Sequence, residues 1–210
     1  MRRRVTLIVA AVVAVAVLAG VAVWAFPVFT VRDIEVEGNT NVAAEQVVEA
    51  TGVGEGENLV RVDTTAAAGG VASLPWVRQA TVGRHLPGTL KVTVVERTAV
   101  LKSGDKLIDD QGEEFSVDNP PEGILEAEGE AAAAPEVAEA AVALDPETRG
   151  QMAKVSAASP EEITFHTKDG REVYWGSAEA AHDKALATRT VLKREGQHWN
   201  VSNPQLVTVR

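Results

Sequence analysis

The chain contains no cysteine, and aromatic residues make up only 4% of its 210 residues. The absence of cysteine excludes a disulfide framework, thiol catalysis and thiolate metal sites. Hydrophobic residues reach 45%, but alanine and valine supply much of that fraction. A core can therefore form, although few large side chains are available to fill it.

Basic residues are the minority charge, with 20 Lys and Arg against 30 Asp and Glu and a net charge of −10. Three of the basic residues precede an apolar run near the amino terminus, and every acidic residue follows it. Proteins that bind nucleic acids normally carry the opposite sign. We therefore expect no nucleic-acid partner.

The apolar run extends from Val5 to Phe26 without a charge. A helix of this length spans about 33 Å, which is enough to cross the hydrocarbon core of a bilayer. The sequence thus predicts a transmembrane helix over residues 5–26, with the lipid bilayer as its partner. A cleaved signal peptide is the alternative. Its cleavage-like triplet, Ala14-Val15-Ala16, lies inside the run, and signal-peptide apolar regions are shorter, about 7–15 residues.

The flanks of the run predict its orientation. Arg2, Arg3 and Arg4 are positive, so residues 1–4 are expected to form a cytoplasmic tail. Trp24 and Phe26 stand where an interfacial aromatic belt would lie. The rest of the chain is then extracytoplasmic, which is the single-pass type II topology.

The first extracytoplasmic segment, residues 27–98, predicts a small α+β domain. Alternating apolar residues indicate strands, and apolar residues at helical spacing between capping and stop residues indicate helices. The expected elements are a strand at 31–36, helices at 42–52 and 64–74, and a hairpin at 76–97 with its turn near 85–89.

The remainder, residues 99–210, predicts a β-rich domain with a late α-helix. A Pro-Pro pair, acidic residues and alanines at 119–135 indicate a mobile insert. The other expected elements are short strands at 99–101, 106–109 and 114–117, helices at 136–144, 147–155 and 177–194, a hairpin at 162–176, and strand character on both sides of Pro204.

Ordered motifs run through nearly the whole chain: "FTVRDIEVEGNTNV", "LPWVRQATVGRHLPGTLKVTVVERTAV", "LIDDQGEEF" and "DGREVYWGS". Together with the arginine-rich start and the single apolar run, they resemble the FtsQ/DivIB family of bacterial cell-division proteins. The most specific part is residues 74–100, where Leu74-Pro75-Trp76-Val77, Arg84, Pro87 and Glu96-Arg97 stand in the family's order.

This resemblance implies a POTRA domain (β-α-α-β-β) followed by a β domain. It implies a non-catalytic, membrane-anchored scaffold of the divisome, required for septum formation and enriched at the division septum of the cell membrane. No cofactor and no small-molecule substrate are expected. The implied partners are divisome membrane proteins of the FtsB and FtsL type, one of which adds a strand to a sheet edge near the carboxyl terminus.

The candidate partner-binding residues lie late in the chain, and it is the resemblance that points to the tail at 205–210 among them. They are Tyr174, Trp175, Trp199, Gln205, Leu206, Val207, Thr208 and Val209. Core packing is the alternative reading of the three aromatic residues, and an ordinary edge strand is the alternative for 205–210. Glu96 and Arg97 are candidates for an interdomain ion pair or for a polar strand end. Trp76 reads more simply as a packed aromatic residue.

Two other function classes remain open, an envelope-assembly component containing POTRA domains and a membrane-anchored envelope enzyme. The sequence shows no repeated POTRA unit. His85, His166, His182 and His198 lie far apart without metal-ligand spacing, and no nucleophile elbow or phosphate-binding loop is present. The many carboxylates are typical of a solvated acidic surface.

Overall fold

The computed structural model describes residues 2–25 and 29–209. Phe26, at the end of the predicted span, Pro27, at the start of the predicted first domain, and Arg210 lie outside the described residues. The chain divides into two compact units, and the boundary between them falls between Glu96 and Arg97.

The first helix, α1, comprises Arg2–Ala25. Within the part of the chain that the structure describes, no helix has both the length and the apolar character needed to cross a membrane.

The first unit continues with a three-stranded sheet and two helices, and it confirms the predicted order of strand, helix, helix, strand and strand. Its elements are β1 (Asp33–Glu37), α2 (Ala44–Ala50), α3 (Thr64–Ala72), β2 (Val77–His85) and β3 (Thr89–Glu96). The sheet order is β1-β3-β2. β3 pairs in parallel with β1 and antiparallel with β2.

The core of this unit follows from the alternation along β3. Leu90, Val92 and Val94 are buried, because side chains two apart on a strand share a face. The helices add Val47 and Val71 to the same cluster.

The second unit is built on a nine-stranded sheet. Its elements are β4 (Ala99–Ser103), β5 (Lys106–Asp109), β6 (Glu114–Phe115), β7 (Leu125–Glu128), α4 (Pro135–Ala143), α5 (Pro146–Gly150), β8 (Met152–Ala157), β9 (Ile163–Thr167), β10 (Glu172–Gly176), α6 (Ala181–Val191), β11 (His198–Asn200) and β12 (Thr208–Val209). The strand order is β12-β11-β10-β9-β8-β7-β4-β5-β6. The α4 helix contacts both α6 and β4.

The sequence predicts a mobile insert at 119–135. This prediction is wrong for Leu125–Glu128, which form strand β7. β7 pairs in parallel with β4 and with β8, and its Leu125 and Ala127 are buried. Glu126 and Glu128 alternate with them. The acidic composition obscured this alternation of period two.

The predicted helices at 147–155 and 177–194 are shorter than expected. α5 ends at Gly150, and Met152 begins β8, since Met152 and Val155 are buried beside the hairpin of β9 and β10. The late helix begins only after Ala180, because the left-handed conformation of that residue (φ 54°) is incompatible with a right-handed helix.

Gly38 makes the turn after β1 possible. Its φ is +86°, and a Cβ there would lie 2.1 Å from the carbonyl oxygen of Val94. The left-handed conformation alone costs a non-glycine residue about 1–2 kcal/mol. At Gly38 the steric overlap with β3 adds to that cost.

Gly38→Ala should therefore destabilise the first unit by well over about 1–2 kcal/mol. Gly52→Ala is the matched control, because Gly52 also has a positive φ (+64°) but a Cβ there meets nothing within 4 Å. Urea unfolding of the full chain, followed by hydrogen exchange in β3, measures both. Equal losses in the two variants would contradict a steric role for the contact with Val94.

Candidate partner-binding edge

The carboxyl-terminal end of the chain forms one edge of the nine-stranded sheet. β12 pairs antiparallel with β11, with Asn200 opposite Thr208 and Trp199 opposite Val209. β11 in turn lies parallel to β10. Among the described residues, β12 has no neighbour on its other side.

The backbone hydrogen bonds of β10 and β11 determine which amides of this edge point outward. The N–H of Glu172 donates to the carbonyl of Gln197, and the N–H of Val201 donates to that of Tyr174. The odd-numbered residues of β11 therefore direct their backbone groups to β10, and Asn200 directs its own to β12.

Because Asn200 lies opposite Thr208, the backbone groups of Thr208 point to β11. Successive residues of a strand point in opposite directions. The N–H of Val209 thus points away from the sheet, and we infer the same direction for the N–H of Val207, the residue directly before β12, so that an added strand would find donors there.

A groove of about 500 Å³ borders this edge. Its lining consists of Glu172, Tyr174, His198, Trp199 and Asn200. Tyr174 is exposed, with 38% of its surface accessible to solvent. The groove thus combines two aromatic residues with carboxylate, imidazole and amide groups.

The carboxylate of Glu172 in this groove lies close to two imidazole rings. One of its carboxylate oxygens lies 3.0 Å from Nδ1 of His198, and the other lies 3.6 Å from Nδ1 of His166. The Nε2 of His166 lies 2.8 Å from the hydroxyl of Ser156. Residues 2–25 and 29–209 contain no group of three His, Asp or Glu side chains arranged to hold a metal ion.

Trp175 lies in the core of the second unit. It is fully buried, and its Nε1–H donates to Oγ1 of Thr188 at 2.8 Å. Its ring packs edge to face on Phe165, with centroids 5.3 Å apart. Its neighbour Tyr174 faces the groove, because adjacent strand residues point to opposite faces.

Trp199 is also in the core, with 7% of its surface exposed. A Cβ at Gly196 would lie 2.7 Å from both the Trp199 ring and the Val209 side chain. The indole of Trp199 therefore packs beneath β12 and helps to hold the edge strand in place.

The last predicted residues lie at or beside the edge strand. Gln205 and Leu206 precede it in a turn, in which both of their N–H groups donate to Asn203. Leu206 is 69% exposed and Val209 is 51% exposed, while Val207 packs partly against the core. The fold thus brings Tyr174, Trp199 and 207–209 together.

Glu96 and Arg97 lie elsewhere, on either side of the boundary between the units. The Glu96 carboxylate accepts hydrogen bonds from the N–H groups of Thr40, Asn41 and Val42 at 2.7–3.0 Å. Burial tends to raise the pKa of Glu96, but these donors hold it below its ordinary value.

Arg97 pairs within the second unit. Its Nη1 donates to Oδ2 of the buried Asp109 at 2.8 Å, and its guanidinium lies 5.7 Å from the centroid of the Phe115 ring. The interdomain role of Glu96 and Arg97 stays a prediction.

Sequence reasoning did not single out Glu172, His198 and Asn200 as groove residues. A signal was present: Glu172 and Tyr174 alternate with Val173 and Trp175, which places the first pair on one face. Such a pattern alone does not predict that β10 pairs with β11, whose residues lie 26 positions further along the chain.

Comparisons with known proteins match both units. The family model described as "POTRA domain, FtsQ-type" matches residues 29–97, and the model described as "Cell division protein FtsQ/DivIB, C-terminal" matches residues 99–205. The chain belongs to the FtsQ/DivIB family. The resemblance seen in the sequence is confirmed.

Relatives with the name cell division protein FtsQ support the same assignment. The protein of Corynebacterium glutamicum is 43% identical over all of this chain and 99% of its own length. That of Mycobacteroides abscessus is 35% identical over 97% of this chain and 69% of its own. The protein of Mycobacterium tuberculosis is 32% identical over 91% of this chain and 64% of its own length. Membership in this family supports a role in cell division.

Glu96→Gln should loosen the turn that precedes α2, since the anionic acceptor is lost. A carboxylate with a lowered pKa contributes stability that is present above its ordinary value of 4.5 and is lost as the pH falls through the lowered value. The wild-type first unit should therefore lose stability below about pH 4.5, and the variant should lose less. At pH 7 we expect a loss on the order of 1 kcal/mol in the variant.

Hydrogen exchange at 40–42 and urea unfolding at pH 7 and pH 3.5 test this expectation. Glu45→Gln is the matched control. Glu45 is exposed on α2, and its substitution by glutamine removes the same charge. The same pH response in all three proteins would show that the contact contributes nothing to acid sensitivity.

Proposed function

We propose that the chain is a non-catalytic, membrane-anchored scaffold of the bacterial divisome that binds partners of the FtsB and FtsL type through the β12 edge. The observation that carries the proposal is the outward direction of the Val207 and Val209 amides. An open strand edge offers main-chain donors and acceptors that give affinity, and the side chains beside it give specificity.

The surroundings of β12 support an added strand. Thr208 shares a face with Asn200, which lines the groove, and Val209 shares the opposite face with Trp199. A partner strand beside β12 would place alternate side chains near the groove and near the exposed Val209. Tyr174 and Leu206 are exposed enough to contact such a strand directly.

In this proposal Trp175 and Trp199 act by supporting the edge. Both side chains belong to the core of the second unit, and Trp199 also contributes to the lining of the groove, so both stabilise the strands that a partner would contact. Interdomain roles for Glu96 and Arg97 belong to the same proposal, and their position on either side of the boundary between the units supports it.

The membrane anchor is also part of the proposal. Its support is the uncharged run from Val5 to Phe26 behind Arg2, Arg3 and Arg4, which favours a single span with the amino terminus in the cytoplasm. In a dividing cell this arrangement holds the part of the chain that follows the run outside the cytoplasmic membrane, at the septum.

Val207→Pro tests the edge. Proline removes the outward N–H of Val207 and leaves the pairing of Thr208 with Asn200 in place. We expect the variant to fold and to bind the extracytoplasmic segments of the host's FtsB and FtsL counterparts about tenfold or more weakly than the wild type. Calorimetry on the full chain in detergent measures the affinity.

Val207→Ala is the matched control, because it shortens the same side chain and keeps the N–H. Its affinity should stay within about threefold of the wild type. Unchanged binding by a folded Val207→Pro protein would move the interface away from β12.

A charge in the apolar run tests the anchor. Val13→Asp should shift a large part of the protein out of the carbonate-resistant membrane fraction, because an acid at the centre of a span costs about 2.5–3.5 kcal/mol. Val13→Leu should stay in that fraction. Purified protein whose mass lacks the first residues would instead establish a cleaved signal peptide.

A further inference from the structure

A second open strand edge lies in the first unit, along the outer side of β1. Before β1, the N–H of Val31 donates to the carbonyl of Glu57, and the carbonyl of Val31 accepts from the N–H of Gly56, both at 2.8 Å. The N–H of Arg32 points the other way, to Gly88 beside β3. Val31 therefore directs its backbone groups outward, and the segment around Gly56 already pairs with them.

The same alternation continues into β1. Glu35 and Glu37 direct their backbone groups outward, whereas Ile34 and Val36 direct theirs to β3. The N–H of Asp33 still donates to the carbonyl of Gly88 at 3.4 Å, so the free donors of this edge begin at Glu35. In the described part of the chain, β1 has β3 as its only neighbour in the sheet. An added strand would thus continue, along β1, the pairing that residues 56–57 begin at Val31.

A groove of about 530 Å³ lies beside this open edge. Its apolar lining comes from Ile34, from Val48 on α2 and from Val53 after α2. These three side chains are half-buried. They offer an apolar strip to one face of an added strand.

The charge at the groove is mainly negative. Asp33, Glu35 and Glu55 line it, together with one cation, Arg32. Within residues 29–209 these three carboxylates form no salt bridge, although Lys91, which pairs with Glu37 at 2.7 Å, also lies opposite Glu35 on β3. Carboxylates near an open edge favour a cationic occupant.

We propose that this groove binds an extended segment of another polypeptide, which adds to β1 as a strand and alternates apolar with basic side chains. Its apolar residues would pack on Ile34, Val48 and Val53. The lysine or arginine residues of the added strand would lie on its other face, near the carboxylates of Asp33 and Glu35.

A second copy of this chain is a poor occupant of the groove. Pairing two β1 edges would place carboxylates of one copy against those of the other, and like charges opposite each other destabilise a sheet. Charged residues on an edge strand also deter aggregation. Here the apolar groove beside the same edge distinguishes a binding surface from a merely protected one.

This inference goes beyond the scaffold function proposed above, because it concerns a different unit and a different edge. A fluorescently labelled peptide of alternating lysine and valine is the probe, and the full chain in detergent is the titrant. We expect saturable binding that weakens as the salt concentration rises. A peptide with glutamate in place of lysine should not bind.

N-methylation of the probe tests strand pairing without altering the protein. Methylating the residues of one alternate set, which would face β1, should abolish binding, and methylating the other set should leave it unchanged. Equal binding by both methylated peptides, or by the glutamate peptide, would overturn the proposal. So would the absence of saturable binding by the lysine–valine peptide.

Variants of the chain locate the site. Glu35→Pro removes an outward N–H and should weaken binding about tenfold or more, while amide protection in β3 reports that the unit is folded. Glu35→Gln should weaken it about threefold and reduce the salt dependence. Glu130→Gln, in the second unit, is the charge control and should bind as the wild type does.

The Val207→Pro variant separates this proposal from the scaffold function. It should bind the lysine–valine peptide with unchanged affinity, even though it loses the FtsB-type partner. A loss of peptide binding in Val207→Pro would place the peptide at β12 and refute a site on β1.

Discussion

The Glu96 carboxylate ties the end of the central strand of the first unit to the loop that leads into its helices. β3 pairs with both β1 and β2, and its last residue, Glu96, lies opposite Val77 of β2. From there Glu96 accepts three consecutive N–H groups from Thr40, Asn41 and Val42. A negative charge with several donors is a strong acceptor, and the start of the helical layer is thereby fixed relative to the sheet.

The next residue performs the corresponding task for the second unit with the opposite charge. Arg97 neutralises Asp109, which is buried at the end of β5. The other oxygen of Asp109 accepts the N–H groups of Gln111 and Glu113 in the turn toward β6. A buried carboxylate needs such partners because desolvation of an unpaired charge is costly. Two adjacent side chains thus each organise one turn of their own unit.

Much of this architecture was predictable from the sequence, because alternation along β2, β3, β9 and β10 is strong and turn residues bound each strand. β7 was missed, since its acidic composition concealed the alternation of Leu125 and Ala127. At the edge, the sequence left Tyr174 and Trp175 with the same two readings, core packing or partner contact, because it does not tell which face of the strand the helices cover. The direction of the Val207 amide depends on which strands are neighbours, and sequence pattern does not encode that.

The outward amides at Val207 and Val209 have a consequence for how this edge changes over evolutionary time. The hydrogen bonds of main-chain groups do not depend on which side chain each residue carries. Selection on the edge then acts against proline and against shortening of the strand, and only weakly on the identity of exposed residues such as Leu206. Two lineages can keep the same pairing geometry while their edge sequences diverge, so residue identity there is a poor measure of shared binding.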